Sequence, residues 1–332
     1  MKKRWAMLVY LSTNMWRGKD ETLLFDEDVW NYILDEAPKA GINTIVLDVG
    51  DAIEFGSHPE IAVKGAWTRT KTREEVNRCK ERGISLIPKL NFSTAHDYWL
   101  GEYARMISTP MYYRVCNDLI KEAYELFWHP EYIHIGMDEE NAKCTRGQQL
   151  ARYRQGELYW HDMRYLIDCV KDTGAKPWIW ADPLFDHVED YKKYIRPDEA
   201  VLSPWYYLAF REEHYTSPEI WPEYYYPYYK QEQFVQMGLK YVEEDPVFVN
   251  IRKIMVPLLE EGYQYIPCAS VFNRCKYNAM DLLEHFKKNA PDNQILGYMT
   301  APWHKTTVEN KKYFEESFQS FKAAREKFYG EE

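Results

Sequence analysis

Apolar residues along this chain gather in short runs, each bounded by turn-forming residues, and between the runs lie longer stretches with helical spacing. The runs are RWAMLVYL (4–11), NTIVLDVG (43–50), ISLIPKLN (84–91), YIHIGMD (132–138), KPWIWAD (176–182), AVLSPWY (200–206), YQYIPCAS (263–270) and ILGYMTAPW (295–303). Their brevity and their content of β-branched and aromatic residues read as strands. FDEDVWNYILDEAPKAG, TREEVNRCKERG, TPMYYRVCNDLIKEAYELF and GELYWHDMRYLIDCVKDTG read as helices, and several close on glycine, as helix C-termini commonly do. Eight strands alternating with helices predict an α/β fold, a (β/α)8 TIM barrel, with residues 1–332 forming a single catalytic domain.

One segment departs from the rhythm. Residues 207–262, including EIWPEYYYPYYKQEQF, are too long for a single crossover helix and form a Tyr-rich insertion between the sixth and seventh strands. It reads equally as a lid or aromatic wall, as a surface excursion, or as a contact between copies that would make the protein a homo-oligomer.

Composition narrows the partners. A net charge of −10, with no basic run longer than Lys2-Lys3-Arg4, argues against nucleic acid as a partner. No stretch of about 18 apolar residues predicts a membrane span. The six cysteines include no CxxC pair and no compact Cys/His cluster, which disfavours a zinc site and a disulfide scaffold and suits a reducing, cytoplasmic location. The first sixteen residues carry the charge of a leader but only a short apolar stretch and no small-residue cleavage site, so they read as a strand. Aromatic residues make up 16% of the chain, with 12 Trp and 28 Tyr. Flat aromatic faces suit the apolar C–H faces of sugar rings, although a large core with tyrosines at its edge would give the same number.

A barrel of this kind builds its active site at the C-terminal ends of its strands. Those ends collect Asp48 and Asp51, Asn91 and His96, Asp138, Glu139 and Glu140, Trp180 and Asp182, Trp205 and Tyr206, Asn273 and Arg274, and Trp303, His304 and Lys305. Strand alternation sends His134, Gly136 and Asp138 into the barrel, and Glu139 joins Asp138 if the chain bends after the strand. Two carboxylates aimed at one volume push their pKa values apart, giving one acid and one anion, the pairing used in glycosidic bond cleavage. The alternative is that Glu139 and Glu140 only open a solvated loop or face a helix N-terminus. His134 reads as a hydrogen-bonded core residue. With neither HExxH nor DxD spacing at these carboxylates, no metal and no cofactor is expected.

HIGMDE (134–139) resembles the His-x-Gly-Gly-Asp-Glu signature of glycoside hydrolase family 20, the β-N-acetylhexosaminidases. LIPKLNFSTAH (86–96) resembles the family's third-strand segment, and WIWAD, EGYQYIPCASVFN and LGYMTAPWHK echo later strands. The resemblance implies substrate-assisted retaining hydrolysis of a β-linked N-acetylated amino sugar: the 2-acetamido oxygen attacks C1, Asp138 holds the acetamide N–H as an anion, and Glu139 protonates the leaving oxygen. It further implies substrate contacts from His96, Asn91, Trp180, Asp182, Trp205, Asn273, Trp303 and Lys305.

The departures are specific. No arginine ends the first strand, Arg17 lying beyond it. Lys89 and Asn91 stand where the family has Glu and Asp, Phe272 falls where a tyrosine is expected, Met137 replaces the second signature glycine, and Trp303-His304-Lys305 reverses a charge. Lys89, Lys305 and Arg274 suggest a substituted or anionic amino sugar. The competing readings are a non-catalytic glycan-binding barrel, a glycosidase with a different substrate and mechanism, and an interaction scaffold using the tyrosine-rich segment.

Overall fold

The computed structural model describes residues 3–15, 18–208, 262–272 and 275–330. Nine short parallel strand segments make the barrel: β1 (Arg4–Tyr10), β2 (Thr44–Asp48), β3 (Ser85–Lys89), β4 (Tyr132–His134), β5 (Lys176–Trp180), β6 (Val201–Ser203), β7 (Gln264–Tyr265), β8 (Cys268–Ala269) and β9 (Gly297–Thr300). Neighbours run β7-β6-β5-β4-β3-β2-β1-β9-β8. The first and last of these, β7 and β8, are two halves of one extended stretch broken at Ile266-Pro267. Its first half pairs with β6 and its second with β9, and backbone bonds from Ile266 to Leu202 and from Met299 to Pro267 carry both ladders across the break. Eight staves therefore close on themselves, as the alternating pattern predicts.

Alternation along β1 shows how the barrel is filled. Trp5, Met7 and Val9 pack outward in the cluster shared with the helices, whereas Ala6, Leu8 and Tyr10 point into a second, interior cluster with Val46, Ile87, Trp178, Trp180 and Met299. Side chains of period two on a strand buried on both faces leave every position apolar until the strand ends. At the ends the interior turns polar: Tyr10, Asp48, Lys89 and His134 are adjacent in register and all buried. They form a layer across the barrel just below the mouth.

Four helices sit where the apolar spacing puts them, α1 (Glu27–Glu36), α2 (Arg69–Glu81), α3 (Pro110–Leu126) and α4 (Gly156–Thr173), and α5 (Val188–Tyr194), α6 (Asn278–Asn289) and α7 (Lys311–Tyr329) join them. Asp26 caps α1 through the Asp28 and Val29 amides. Thr109 caps α3 through the Tyr112 amide with Pro110 in its first turn. These are preferred helix starts, each stabilising by about 1 kcal/mol. Among the described residues no helix is long and apolar enough to cross a membrane, and all six cysteines are free thiols. Of the insertion expected at 207–262, residues 209–261 lie outside the described residues, as do Arg17, Asn273 and Arg274.

Candidate active site

The site begins where β4 stops. Pairing ends at His134, and the chain then takes three left-handed residues in four: Gly136 (φ +72°), Met137 (φ +68°) and Glu139 (φ +53°). The extended strand expected through Asp138 is thus replaced by a coil that bends both carboxylates toward the third strand. Left-handed backbone costs a non-glycine residue roughly 1–2 kcal/mol, so Met137 and Glu139 hold it only because their surroundings over-determine it. Asn91 is one such constraint. Its Oδ1 accepts from the Ser93 amide at 3.1 Å and the Met137 amide at 3.3 Å, while its Nδ2 donates to Asp138 Oδ1 at 2.8 Å. The Ser93 hydroxyl adds a bond to the Asp138 carbonyl, and the Tyr159 hydroxyl donates to that of Met137 at 3.1 Å.

Only glycine fits at 136. A Cβ there would lie 1.9 Å from Asn91 Oδ1, whereas Gly83, with a matching φ of +73°, has nothing within 4 Å of its Cβ position. Gly136→Ala is expected to lose more stability in urea unfolding than Gly83→Ala, because Gly83→Ala meets only the backbone cost of about 1 kcal/mol. Equal losses would show that Asn91 gives way freely.

His96 joins the two carboxylates: its Nε2 lies 3.2 Å from Asp138 Oδ2 and 3.3 Å from Glu139 Oε2. Burial by itself pushes this imidazole's pKa down, and the Asp138 and Glu139 carboxylates together outweigh it, raising it to about 10. For Asp138 burial pushes upward, but His96, Lys89 and the Asn91 amide outweigh it and hold the carboxyl well below its usual range. The centre of the site is an imidazolium against an anion. Asp138 is 15% exposed and Glu139 41%, so the second carboxylate is the one that opens to the mouth. One ligand atom each from His96, Asp138 and Glu139 lies within 4.8 Å of the others, a spacing at which they could jointly hold a cation. A metal and the His96 proton would compete for the same nitrogen.

The linkage has a definite sign. His96 has a folded pKa above its unfolded value of about 6.5, so its contribution to stability is complete below that pH and is lost as pH rises toward about 10. Wild-type protein is expected to lose urea resistance across that interval, and His96→Gln to lose less of it. Parallel curves for the two proteins would remove the imidazolium from this account.

The other side chains expected here fall into distinct places. Lys89 is buried and its Nζ is bound to Asp48. That matched charge is already committed, which counts against Lys89 as a receptor for an anionic substituent. Lys305 is 47% exposed and stands 3.4 Å from Asp20 at the rim. Trp180 is wholly buried, packed 5.0 Å from His134 and 5.5 Å from Trp303. Trp303, itself left-handed at φ +57°, lies 5.9 Å from Tyr10 and 6.0 Å from Tyr207, which stacks on Trp205 at 5.0 Å. These five aromatic rings form a continuous wall beside the carboxylates. Asp182 spends both oxygens on protein donors, the Glu139 amide at 3.2 Å and the Trp205 indole at 2.7 Å.

The third carboxylate, Glu140, does something the sequence reading missed. It points away from the mouth into a buried fork with Arg154, at 2.6 and 2.7 Å, and accepts the Thr94 and Arg154 amides. Arg154 also donates to the Phe92 carbonyl at 2.8 Å and to Asp162 on α4 at 3.1 Å. One cation thereby ties the loop after β3, which carries His96, to the loop after β4, which carries Asp138 and Glu139.

A closed (β/α)8 barrel with an imidazolium-bridged carboxylate pair at the C-terminal mouth is the class that fold and site define. No protein-family model and no curated protein matches the sequence, but many solved structures share the fold. A glycoside hydrolase family 20 β-N-acetylglucosaminidase aligns over 97% of this chain and 69% of its own, at 16% identity and a TM-score of 0.57. The β-N-acetylhexosaminidase from Bacteroides fragilis NCTC 9343 aligns over 96% of this chain and 65% of its own, at 12% identity and a TM-score of 0.59. The GH20 β-N-acetylhexosaminidase from Streptomyces coelicolor A3(2) aligns over 96% and 63%, at 13% identity and a TM-score of 0.62. At these identities the likeness is one of fold, and this chain spans between 63% and 69% of their lengths.

Proposed function

We propose that this barrel is a glycoside hydrolase that cleaves a β-linked N-acetylated amino sugar by substrate-assisted retaining catalysis. The observation that carries the reading is His96 Nε2 in contact with both Asp138 and Glu139, beside a wall of Tyr10, Trp180, Trp205, Tyr207 and Trp303. Asp138, held anionic, accepts the acetamide N–H and stabilises the positive charge that develops on that group. The acetamide oxygen bonds to C1 as the C1–O bond to the leaving group breaks, and the Glu139 carboxyl gives its proton to the departing oxygen. Water then opens the cyclic intermediate, losing its proton to the Glu139 carboxylate, so the anomeric configuration is retained. An inverting pair needs carboxyl groups about 6.5–9.5 Å apart to admit a water. The Asp138 and Glu139 oxygens within 4.8 Å of each other are too close for that.

A non-catalytic glycan binder has less to support it, because binding alone does not call for two left-handed residues and a buried imidazolium around the carboxylates. The six free cysteines support action in a reducing compartment. The test is nitrophenol release from β-N-acetylglucosaminide, β-N-acetylgalactosaminide, β-glucoside and β-galactoside. Turnover confined to the acetamido sugars, and lost in Asp138→Asn, is expected. Equal turnover of the unsubstituted sugars would replace the substrate-assisted mechanism with another, and silence of the folded protein on all four would favour the binder.

A further inference from the structure

Asp182 lies two residues beyond the end of β5 and stands between two parts of the site that chemistry requires to act together. Its Oδ1 accepts the Glu139 amide at 3.2 Å and its Oδ2 accepts the Trp205 indole N–H at 2.7 Å. Glu139 holds a left-handed φ of +53°, a conformation that must be fixed from outside. Asp182 fixes it on the amide side, while the Glu139 carbonyl accepts from the Asn141 amide at 2.9 Å. On the other side Trp205 is the outer member of the aromatic wall, stacked on Tyr207 at an interplanar angle of 23°. The indole ring can rotate about its side-chain bonds, and the bond to Asp182 selects one orientation. Three consecutive staves, β4, β5 and β6, thus converge on one carboxylate.

We propose that Asp182 is a positioning residue that locks the acid Glu139 and the ring-stacking wall of Trp205 into one geometry, so that docking of the sugar and donation of the proton share a single anchor. The inference rests on the hydrolase reading for its catalytic consequence, but the shared anchor is a property of the chain whatever it turns over. With both oxygens spent on protein donors, the carboxylate contributes through Glu139 and Trp205. A misplacement of about 1 Å at a reacting group lowers rate by about 100-fold, which sets the scale of the effect on kcat.

The full chain carrying Asp182→Asn, with Asp182→Ala as a second variant, tests this in two ways. An amide can accept from only one of the two donors and turns its own NH2 toward the other. In amide-correlated spectra of labelled protein, the Glu139 amide or the Trp205 indole resonance is therefore expected to shift, with the remaining indoles in place; Trp205→Phe assigns the indole. If neither resonance moves, the shared anchor is overturned regardless of activity. With a β-linked acetamido disaccharide, whose leaving group needs the acid, kcat is expected to fall about 100-fold with KM within about threefold, and the loss is expected to shrink when Trp205 is already Phe. A rise in KM at unchanged kcat would make Asp182 a direct substrate contact instead and overturn the proposal. A folded wild-type protein silent on all four nitrophenyl glycosides would fail the hydrolase reading, and the spectra would still decide the anchor.

Discussion

Glu139→Gln is expected to lower kcat by 10²–10⁴ on an acetamido disaccharide, the range for loss of a general acid, and by much less on the matching nitrophenyl glycoside. The asymmetry follows from what the acid does. A sugar alkoxide leaves poorly unless protonated during bond cleavage, whereas nitrophenolate departs without help. At 1.36 kcal/mol per tenfold, the full effect is about 3–5 kcal/mol of barrier, delivered by a side chain that is 41% exposed and open to the mouth. Asp138→Asn is expected to behave differently. Asp138 acts on the acetamide, which both substrates carry, and not on the leaving oxygen, so its loss should depress both alike. The two variants together separate a proton donor from a charge stabiliser, which neither does alone. Glu139→Gln depressing both substrates equally would take the acid role from Glu139.

The parts of this molecule that the sequence disclosed are those governed by local period. Eight apolar runs and the helical spacing between them place β1 to β9 and α1 to α4, because a strand buried on both faces and a one-sided helix leave different spacings. The polar ends of those runs locate the mouth, but not the point where β4 stops: its run reads as strand through Asp138, whereas pairing ends at His134 and left-handed backbone begins at Gly136. What stayed hidden is pairing across the barrel. Lys89 and Asp48 read as an available cation and an unassigned acid, and only the register that sets β2 against β3 shows that each neutralises the other. Asp182 read as a substrate contact because it ends a strand, whereas its partners come from two other loops. Trp180 read as part of the sugar box; its ring is wholly buried against Trp303 and forms the inner layer of the aromatic wall. Glu140 read as one of the acids collected at the strand end or, alternatively, as opening a solvated loop or facing a helix N-terminus. A signal for its true place exists: a carboxylate beside the buried end of a strand needs a cation, and the connection to the next helix supplies Arg146, Arg152 and Arg154.

Arg154→Met is accordingly expected to destabilise the protein by about 3–5 kcal/mol, the range for breaking a buried ion pair by removing one partner. Arg154, Glu140 and Asp162 have side chains at most 1% exposed. With the cation gone, two carboxylates remain in a place where an uncompensated charge is costly. The Ser108 and Tyr113 hydroxyls still donate to Asp162, at 2.7 and 2.5 Å, so the heavier penalty falls on Glu140, whose side chain keeps only the Thr94 and Arg154 amides. Combining Arg154→Met with Glu140→Gln should therefore restore part of the loss, because a neutral amide needs no counter-charge; the urea midpoints of the two single variants and the double variant measure that recovery. The same fork binds the Phe92 carbonyl, four residues before His96, so the two loops it joins are those that bring His96 against Asp138 and Glu139. Loss of stability should be accompanied by loss of turnover even where the variant is folded, and the alkaline decline attributed to His96 should flatten in the same protein. A loss below about 1 kcal/mol, with the alkaline decline intact, would mean that the loops hold their positions without the fork and that Asn91 alone sets the geometry of the pair.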